Sequence, residues 1–334
     1  MGDILIKVTR IIWVYMALKT AVIGIGNMGR HHARVYSGLK SSCLVGVSDI
    51  NKNAGTAIAS KFGCNFYSDY LELLKRESPD IVSICVPTHL HYAVAKSVIE
   101  SGSHLLIEKP ISHNIKEAEE LVKMAKDAGV KLTVGHVERF NPAIRKLKDI
   151  VVAGKLGNIT SIMAQRVGLF PSQIDGNNVI IDLAIHDIDI FNYILGKEPE
   201  SVVISSGRAL NNKSEDYADI FLKYSGTNGF IEVNWITPVK IRILTLTGTL
   251  GFAQVNYITQ TINLYKTVYE KNYDQFGDFV LKFGNPEMEK LQVERAEPIR
   301  LELEHFVDCI KNNKDPLVSG EDGIKALRIA LNIL

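Results

Sequence analysis

One stretch limits what this chain can become. Leu18–Ile23 (LKTAVI) is a short apolar run of the kind that makes a buried strand. It runs directly into Gly24-Ile25-Gly26-Asn27-Met28-Gly29, a G-x-G-x-x-G, and Arg30–Leu39 then reads as a helix ending near Gly38. Strand, glycine turn and helix in that order are the context in which such glycines hold a dinucleotide. Gly24 permits the tight turn, Gly26 lets a pyrophosphate approach the backbone, and Gly29 lets helix and strand pack closely. The intervening Asn27 and Met28 belong to the same expected cofactor site. The helix N-terminus adds unpaired N–H groups and a positive dipole end for the phosphates.

A glycine pattern alone can equally be a chance turn. A second residue argues against that. Cys43–Ser48 (CLVGVS) reads as the next strand, and Asp49 closes it twenty residues after Gly29. An acid there hydrogen-bonds the adenosine ribose and repels a 2′-phosphate. The expected cofactor is a nicotinamide dinucleotide, NAD ahead of NADP.

The 334 residues allow about two domains. A hydrophobic share of 46% supplies a sizeable core, and a formal charge of +1 without a long basic run argues against nucleic-acid or polybasic membrane partners. Cys43, Cys64, Cys85 and Cys309 are scattered and make no C-x-x-C, so neither a disulfide framework nor a zinc site is indicated, and a reducing cytoplasm fits. Ile4–Leu18 is apolar but carries Lys7 and Arg10, too short and interrupted for a spanning helix. It also lacks a cleavage signature. Residues 1–15 read as an extension upstream of a domain starting at Met16, consistent with a misplaced start codon.

After Asp49, strand and helix alternate. Asn51–Lys61 reads as helix, Cys64–Tyr67 as strand, and Ser68 as the cap of a helix over Asp69–Arg76. Asp80–Val86, Ser103–Ile107 and Val130–Val134 read as strands, separated by helices to Ser101 and over Asn114–Ala128. Such alternation implies a parallel sheet covered on both faces, with ligands at the carboxyl ends of its strands. Three of those ends carry suggestive residues. Thr88, His89 and His91 follow one; Thr88 and His89 are placed to line the cofactor, and the alternative for the histidines is a helix-start cap or a solvated surface. Glu108-Lys109-Pro110 follows the next, where a nicotinamide would lie; the structural alternative is a surface ion couple. His136 follows the last.

The pattern changes at Gly135–Pro142 (GHVERFNP), which divides a domain of 16–137 from one of 138–334. Arg139–Val152 reads as a linking helix, Ile159–Val167 as a strand with Arg166 near its end, and Phe170–Asn178 as a loop. Asn178–Leu195 reads as one helix, apolar nearly all round, on which Asp182, His186, Asp189 and Tyr193 share a stripe. Ionisable groups on a buried helix must be paired or face a cavity. The stripe is therefore an active-site wall, a satisfied core network, or in part a metal pair of Asp182 and His186; without a further ligand cluster no metal is expected. From Ser201 to about Lys266 successive strands imply an antiparallel sheet, with a hairpin turn at Ser225–Gly229 and another pair around Gly248 and Gly251. Thr267–Glu297 reads as loop and edge strand, Pro298 opens a helix through Ile310, and Gly323–Leu334 reads as a last helix.

Gly24-x-Gly26-x-x-Gly29, Asp49, Glu108-Lys109-Pro110 and Asp182-x-x-x-His186, in this order, resemble the Gfo/Idh/MocA family of oxidoreductases. The resemblance covers nearly all of the chain after Met16. It implies an α/β N-terminal Rossmann domain and an α+β C-terminal domain with an open, mostly antiparallel sheet. It implies NAD(P)-dependent oxidation or reduction of a CH–OH group in a sugar or polyol, and homodimers or homotetramers paired through that sheet. Carried onto this sequence, the family's lysine is Lys109 and its D-x-x-x-H residues are Asp182 and His186, while Glu108 and Lys109 also join the cofactor-binding set. The chain departs from many members in having Asn178-Val179-Ile180-Ile181 before the aspartate and His136 in place of a phenylalanine. The GHVERFNP segment and the IIDLAIHDID helix are more similar to members acting on UDP-N-acetyl sugars at C3.

Three readings stay open: a dehydrogenase of a UDP-N-acetyl sugar, a dehydrogenase or reductase of a free sugar, polyol or diol, and a non-enzymatic NAD-binding regulator. For the enzyme readings, histidine needs little pKa shift to act as a base, whereas lysine needs a large one. His186 is accordingly the expected base, Lys109 the cation steadying alkoxide charge, and Asp182 an orienting group, with a relay shared by Lys109 and His186 as the alternative. A nucleotide sugar also needs a group to hold its diphosphate, for which Arg166 is the candidate.

Overall fold

The computed structural model describes residues 17–169, 178–210, 213–266, 269–273, 279–283 and 287–332, without side chains for 269–273 and 279–283. The expected extension 1–15 with its start at Met16, and nearly all of the expected loop from Phe170, lie outside the described residues. The chain forms two compact units: one runs through Val137 and takes in Glu297–Leu327, the other holds Glu138–Ala296 and the last residues from Arg328.

The first unit is built on six strands, β1 (Leu18–Ile23), β2 (Ser42–Ser48), β3 (Asn65–Tyr67), β4 (Ile81–Ile84), β5 (His104–Glu108) and β6 (Leu132–Gly135). All pair in parallel, in the order β3-β2-β1-β4-β5-β6. Parallel pairing requires crossovers, supplied by α1 (Asn27–Gly38), α2 (Lys52–Phe62), α3 (Tyr70–Glu77), α4 (His91–Glu100) and α5 (Ile115–Asp127). The order reverses between β1 and β4, the switch point at which such sheets bind ligands. Local chemistry sets the helix starts. Asn51 and Asn114 accept backbone N–H bonds from Ala54 and Glu117. Asp69, not the expected Ser68, caps α3 by accepting from the Leu71 N–H. Burial on both faces explains the apolar strands: Val22, Ile81 and Leu106 are fully buried.

The second unit begins with α6 (Pro142–Val152), capped by Asn141, and β7 (Ile159–Val167). Residues 178–195 are not one uniform α-helix. A π-helical turn, Ile180–Ala184, precedes α7 (Ile185–Leu195). A π-turn adds a residue per turn and rotates what precedes it, so the expected stripe divides. Asp189 is buried, whereas Asp182, His186 and Tyr193 are half-buried. Next come β8 (Ser201–Gly207), β9 (Tyr217–Tyr224), β10 (Thr227–Asn234), β11 (Ile241–Gly248), β12 (Gly251–Asn256) and β13 (Thr261–Lys266). β14 (Tyr269–Tyr273) and β15 (Phe279–Phe283) form a separate two-stranded ribbon, and β16 (Met288–Leu291) is an edge strand. The large sheet runs β16-β13-β12-β11-β7-β10-β9-β8, antiparallel except where β7 meets β10. The hairpin after β9 is tighter than expected: Tyr224 pairs with Thr227, so Ser225-Gly226 alone make the turn, with Gly226 at φ +74°. Gly229 is a strand residue. A Cβ there would lie 3.1 Å from the Phe191 ring, so this glycine allows α7 to approach the sheet. The opposite face of the sheet carries exposed Met163, Val203 and Phe230.

The chain then returns to the first unit. α8 (Pro298–Lys311) lays Leu303, Phe306 and Val307 into the cluster of Val35 and Tyr36 on α1 and Leu39 just after it. α9 (Gly320–Ala330) begins beside β6, where Thr133 bridges to Ser319 and a Cβ on Gly323 would meet Val134 at 2.6 Å. The second domain expected over 138–334 thus yields residues 297–327. Their apolar faces match helices and strands of the first unit, a long-range pairing that local periodicity does not encode.

Candidate active site

In the first unit the glycine turn joins β1 to α1 at the sheet's switch point. Gly24 has φ +88°, and a Cβ there would sit 2.7 Å from the backbone of Cys85 and Val86 at the end of β4. A Cβ on Gly29 would lie 1.8 Å from the Gly24 carbonyl oxygen, so strand and helix could not close. A Cβ on Gly26 would meet nothing within 4 Å, which leaves open space beside its backbone for a phosphate group. Asn27 accepts from the Arg30 guanidinium at 2.6 Å, and Met28 packs toward the core. Asp49 accepts from the Ile25 N–H at 2.6 Å and from the Asn51 N–H at 2.7 Å. The carboxylate thereby fixes the turn, and with about four acceptor positions it keeps capacity for hydroxyl donors. The residues present therefore fit a dinucleotide.

Thr88 and His89 lie in a 3₁₀ turn, Thr88–Leu90, after β4; Thr88 is half-buried and His89 exposed. His91 is buried, with Nδ1 2.8 Å from the Pro110 carbonyl oxygen and Nε2 2.9 Å from that of Val86. It joins the segment after β4 to the segment that carries Lys109. Lys109 is half-buried and its bond to Pro110 is cis. His136 is buried at the end of β6.

Glu108 faces inward. Its Oε1 lies 2.9 Å from His32 Nε2, and its Oε2 accepts from the Lys109 N–H at 3.2 Å. His32 Nδ1 meets Ser83 Oγ at 3.0 Å, and Ser83 meets the Tyr36 hydroxyl at 3.0 Å. Burial works to raise the Glu108 carboxyl, but the His32 hydrogen bond and charge, with Lys109, hold it below the usual value. Glu108 thus ties the strand end bearing Lys109 to the helix that follows the glycine turn. His32, Cys85 and Glu108 are the group of three possible metal ligands among the described residues, their ligand atoms within 4.8 Å of one another. His32 and Glu108 are bonded to each other, and burial pushes the Cys85 thiol well up, away from the thiolate a metal requires. Asp182 and His186 belong to no such group among the described residues.

In the second unit Asp182 lines a cleft of about 380 Å³ together with Gly168, Trp235, Pro238, Lys240 and Arg242. His186 stands one turn further along, half-buried. Asp189, expected on the same stripe, is in the core, where Arg139 donates to it through Nε at 2.8 Å and Nη2 at 2.6 Å. Tyr193 lies under the Arg139 guanidinium at 5.1 Å. The core-network reading of this helix is therefore right for Asp189, whereas Asp182 faces a cavity.

Arg166 does not stand where a substrate residue should. It is 5% exposed. Its Nε and Nη2 donate to Asp187 at 2.6 and 2.9 Å, its Nη1 to Glu138 at 2.9 Å, and it lies 4.8 Å over the Tyr257 ring. Burial would lower the guanidinium pKa, but Asp187 and Glu138 outweigh burial and keep it well raised. Arg242, Asp187, Glu138 and the Arg139–Asp189 pair escaped the sequence reading. A signal existed: two acids in the apolar run IHDIDI and two arginines on the apolar elements before it imply buried pairs.

Comparison with known proteins matches residues 18–136 to a family model described as an oxidoreductase family with an NAD-binding Rossmann fold. Residues 144–254 match a GFO/IDH/MocA C-terminal domain. The chain is 28% identical to UDP-N-acetylglucosamine 3-dehydrogenase of Acidithiobacillus ferrooxidans, over 95% of this chain and 96% of that one. A crystal form of that enzyme superposes with a TM-score of 0.83. Scyllo-inositol 2-dehydrogenase (NAD(+)) of Bacillus subtilis is also 28% identical, over 94% of this chain and 92% of its own.

Proposed function

The chain belongs to the Gfo/Idh/MocA family of oxidoreductases, and on that premise we propose that it transfers a hydride between NAD and a secondary alcohol of a sugar, at C3 of a UDP-N-acetyl sugar. One observation carries the reading. The second unit sets Asp182, an acid of the family's D-x-x-x-H pattern, in the wall of a cleft large enough for a sugar. The GHVERFNP and IIDLAIHDID segments support the nucleotide-sugar choice. Similarity of equal degree to an inositol dehydrogenase favours a second reading, a free polyol or sugar as substrate.

Bound NAD would supply the hydride acceptor. The chain's own residues supply the rest. Gly26 and the N-terminus of α1 hold phosphate oxygens, and Asp49 accepts from the ribose hydroxyls. His186 takes the proton of the substrate hydroxyl, a task suited to imidazole near neutral pH. Lys109 presents its ammonium to the oxygen as negative charge develops there. Asp182 accepts a hydrogen bond from a substrate hydroxyl and fixes the ring's orientation.

The test is reduction of NAD, followed by absorbance, with UDP-N-acetylglucosamine, UDP-N-acetylgalactosamine, glucose, myo-inositol and scyllo-inositol. Turnover of a UDP-sugar with kcat/KM at least 100-fold above the polyols is expected. Turnover of an inositol with no response to UDP-sugars would replace the proposal by the second reading.

A further inference from the structure

Arg166 and Arg242 are direct cross-strand partners on β7 and β11. Two cations in that position repel, and burial sharpens the repulsion. Among the described residues only one of them has direct ion pairs. Arg166 spends its guanidinium on Asp187 and Glu138. Arg242 makes two hydrogen bonds, both from Nη1 and both to backbone carbonyl oxygens, of Val167 at 2.6 Å and of Ile241 at 2.8 Å. Its Nε and Nη2 have no hydrogen-bond partner among the described residues. No carboxylate forms an ion pair with it among the described residues: Asp187 and Glu138 are bonded to Arg166, and they and Asp182 act on Arg242 only through charge at longer range. Burial, and then Arg166, push its pKa down to about 10 against the opposing charges of Asp187, Glu138 and Asp182.

This half-answered guanidinium lies in the wall of the cleft that holds Asp182, with Lys240 two residues before it on the same wall. Trp235 and Pro238 supply apolar surface beside them. A structural arginine is satisfied by acids of its own chain, as Arg139 and Arg166 are. An arginine held by backbone oxygens on one nitrogen, with its remaining donors beside a cavity, is pre-positioned for an oxyanion from outside. Guanidinium N–H groups match phosphate or carboxylate oxygens in a two-pronged bond, and a second cation nearby suits a group of more than one negative charge.

We propose that Arg242, assisted by Lys240, is the seat of an anionic group of the substrate, and that this group is a phosphate of the nucleotide sugar. The proposal rests on the sugar-dehydrogenase reading and deepens it. It transfers to Arg242 the task expected of Arg166. It also gives the cleft a polarity: charged group at the Arg242–Lys240 wall, sugar hydroxyls at Asp182.

The test measures affinity of the NAD-loaded protein by calorimetry for pairs of probes that differ in charge: UDP against uridine, glucose 1-phosphate against glucose, and glucuronate against glucose. Wild type is expected to bind UDP at least 30-fold more tightly than uridine. In Arg242→Gln that ratio should fall below about 3, with uridine little changed, and Arg242→Lys should recover part of it. Circular dichroism and melting of both variants check the fold; if Arg242→Gln melts early, the Arg242→Lys and Lys240→Gln ratios decide. Raising salt from 50 to 300 mM should weaken UDP in wild type and not in Arg242→Gln. If wild type ignores UDP but prefers glucose 1-phosphate or glucuronate to glucose, and Arg242→Gln abolishes that preference, the nucleotide-sugar identity falls and the anion seat stands. If wild type prefers no anionic probe, or keeps its preference in folded Arg242 variants, the anion seat is overturned whatever substrate the enzyme turns over.

Discussion

His32 Nε2 lies 2.9 Å from the Glu108 carboxylate, with His32 fully buried on the helix that follows the glycine turn and Glu108 at the end of β5, one residue before Lys109. The couple has a definite pH signature. The folded-state pKa of Glu108 is below its ordinary 4.5, so its contribution to stability is complete above about 4.5 and is lost as pH falls through the lower folded value. Glu108→Gln should flatten the fall of Tm below pH 4.5 relative to wild type. Parallel Tm curves for the two proteins between pH 5 and 3 would show that the carboxylate adds no pH-linked stability.

Removing the histidine is harsher. His32→Ala leaves Glu108 buried with the Lys109 N–H but without the imidazole, at a cost of about 3 kcal/mol. Urea unfolding measures it. A loss under about 0.5 kcal/mol would mean the couple is incidental.

The three glycines of the turn should separate by what surrounds them. Gly29→Ala places a methyl group 1.8 Å from the Gly24 oxygen, so the fold itself should suffer and Tm drop. Gly26→Ala meets nothing within 4 Å and should leave Tm unchanged while weakening NAD binding tenfold or more. Melting curves and NAD titration, run side by side, distinguish the two effects.

Cofactor choice should follow Asp49. At an effective dielectric of about 20, two unit charges 4 Å apart repel by about 4 kcal/mol, and screening leaves a several-fold to hundred-fold preference for NAD over NADP. Titration of the free enzyme with both cofactors measures this. Equal affinities would show that a nearby base such as Lys52 offsets Asp49.

His186→Ala and Lys109→Ala should each lower kcat by about 100-fold or more with NAD affinity nearly unchanged. Steady-state kinetics on the substrate found above, with cofactor titration as control, checks both. Near-normal turnover in either variant removes that residue from the chemistry.

Arg166→Met should act on stability instead of substrate affinity. It strands Asp187 in the interior and leaves half-buried Glu138 without its guanidinium, and breaking such a buried pair costs about 3–5 kcal/mol. Adding Asp187→Leu should restore part of the loss. A large rise in KM at unchanged Tm would return Arg166 to the substrate.

Local signals made much of this protein readable. The alternation of apolar strands and capped helices up to Gly135 leads to a parallel sheet, because every crossover is written in consecutive residues. The π-turn at Ile180–Ala184 is not readable from periodicity, which assumes a uniform helix and so groups Asp182 with Asp189, when one faces a cleft and the other the core. The role of Arg166 is hidden from the sequence for a related reason. Its partners lie 21 and 28 residues away along the chain, and only tertiary structure reveals that its charge is already answered.

The return of α8 to α1 has a further consequence. The nucleotide-binding half is not a self-contained cassette. A gene cut at 137/138 would deliver α1 stripped of Leu303, Phe306 and Val307, each worth about 1.5–3 kcal/mol of buried apolar surface. Recombination that exchanged substrate domains among relatives would have to carry two breakpoints, one on each side of the inserted sheet domain, and keep α8 with the α1 helix it covers.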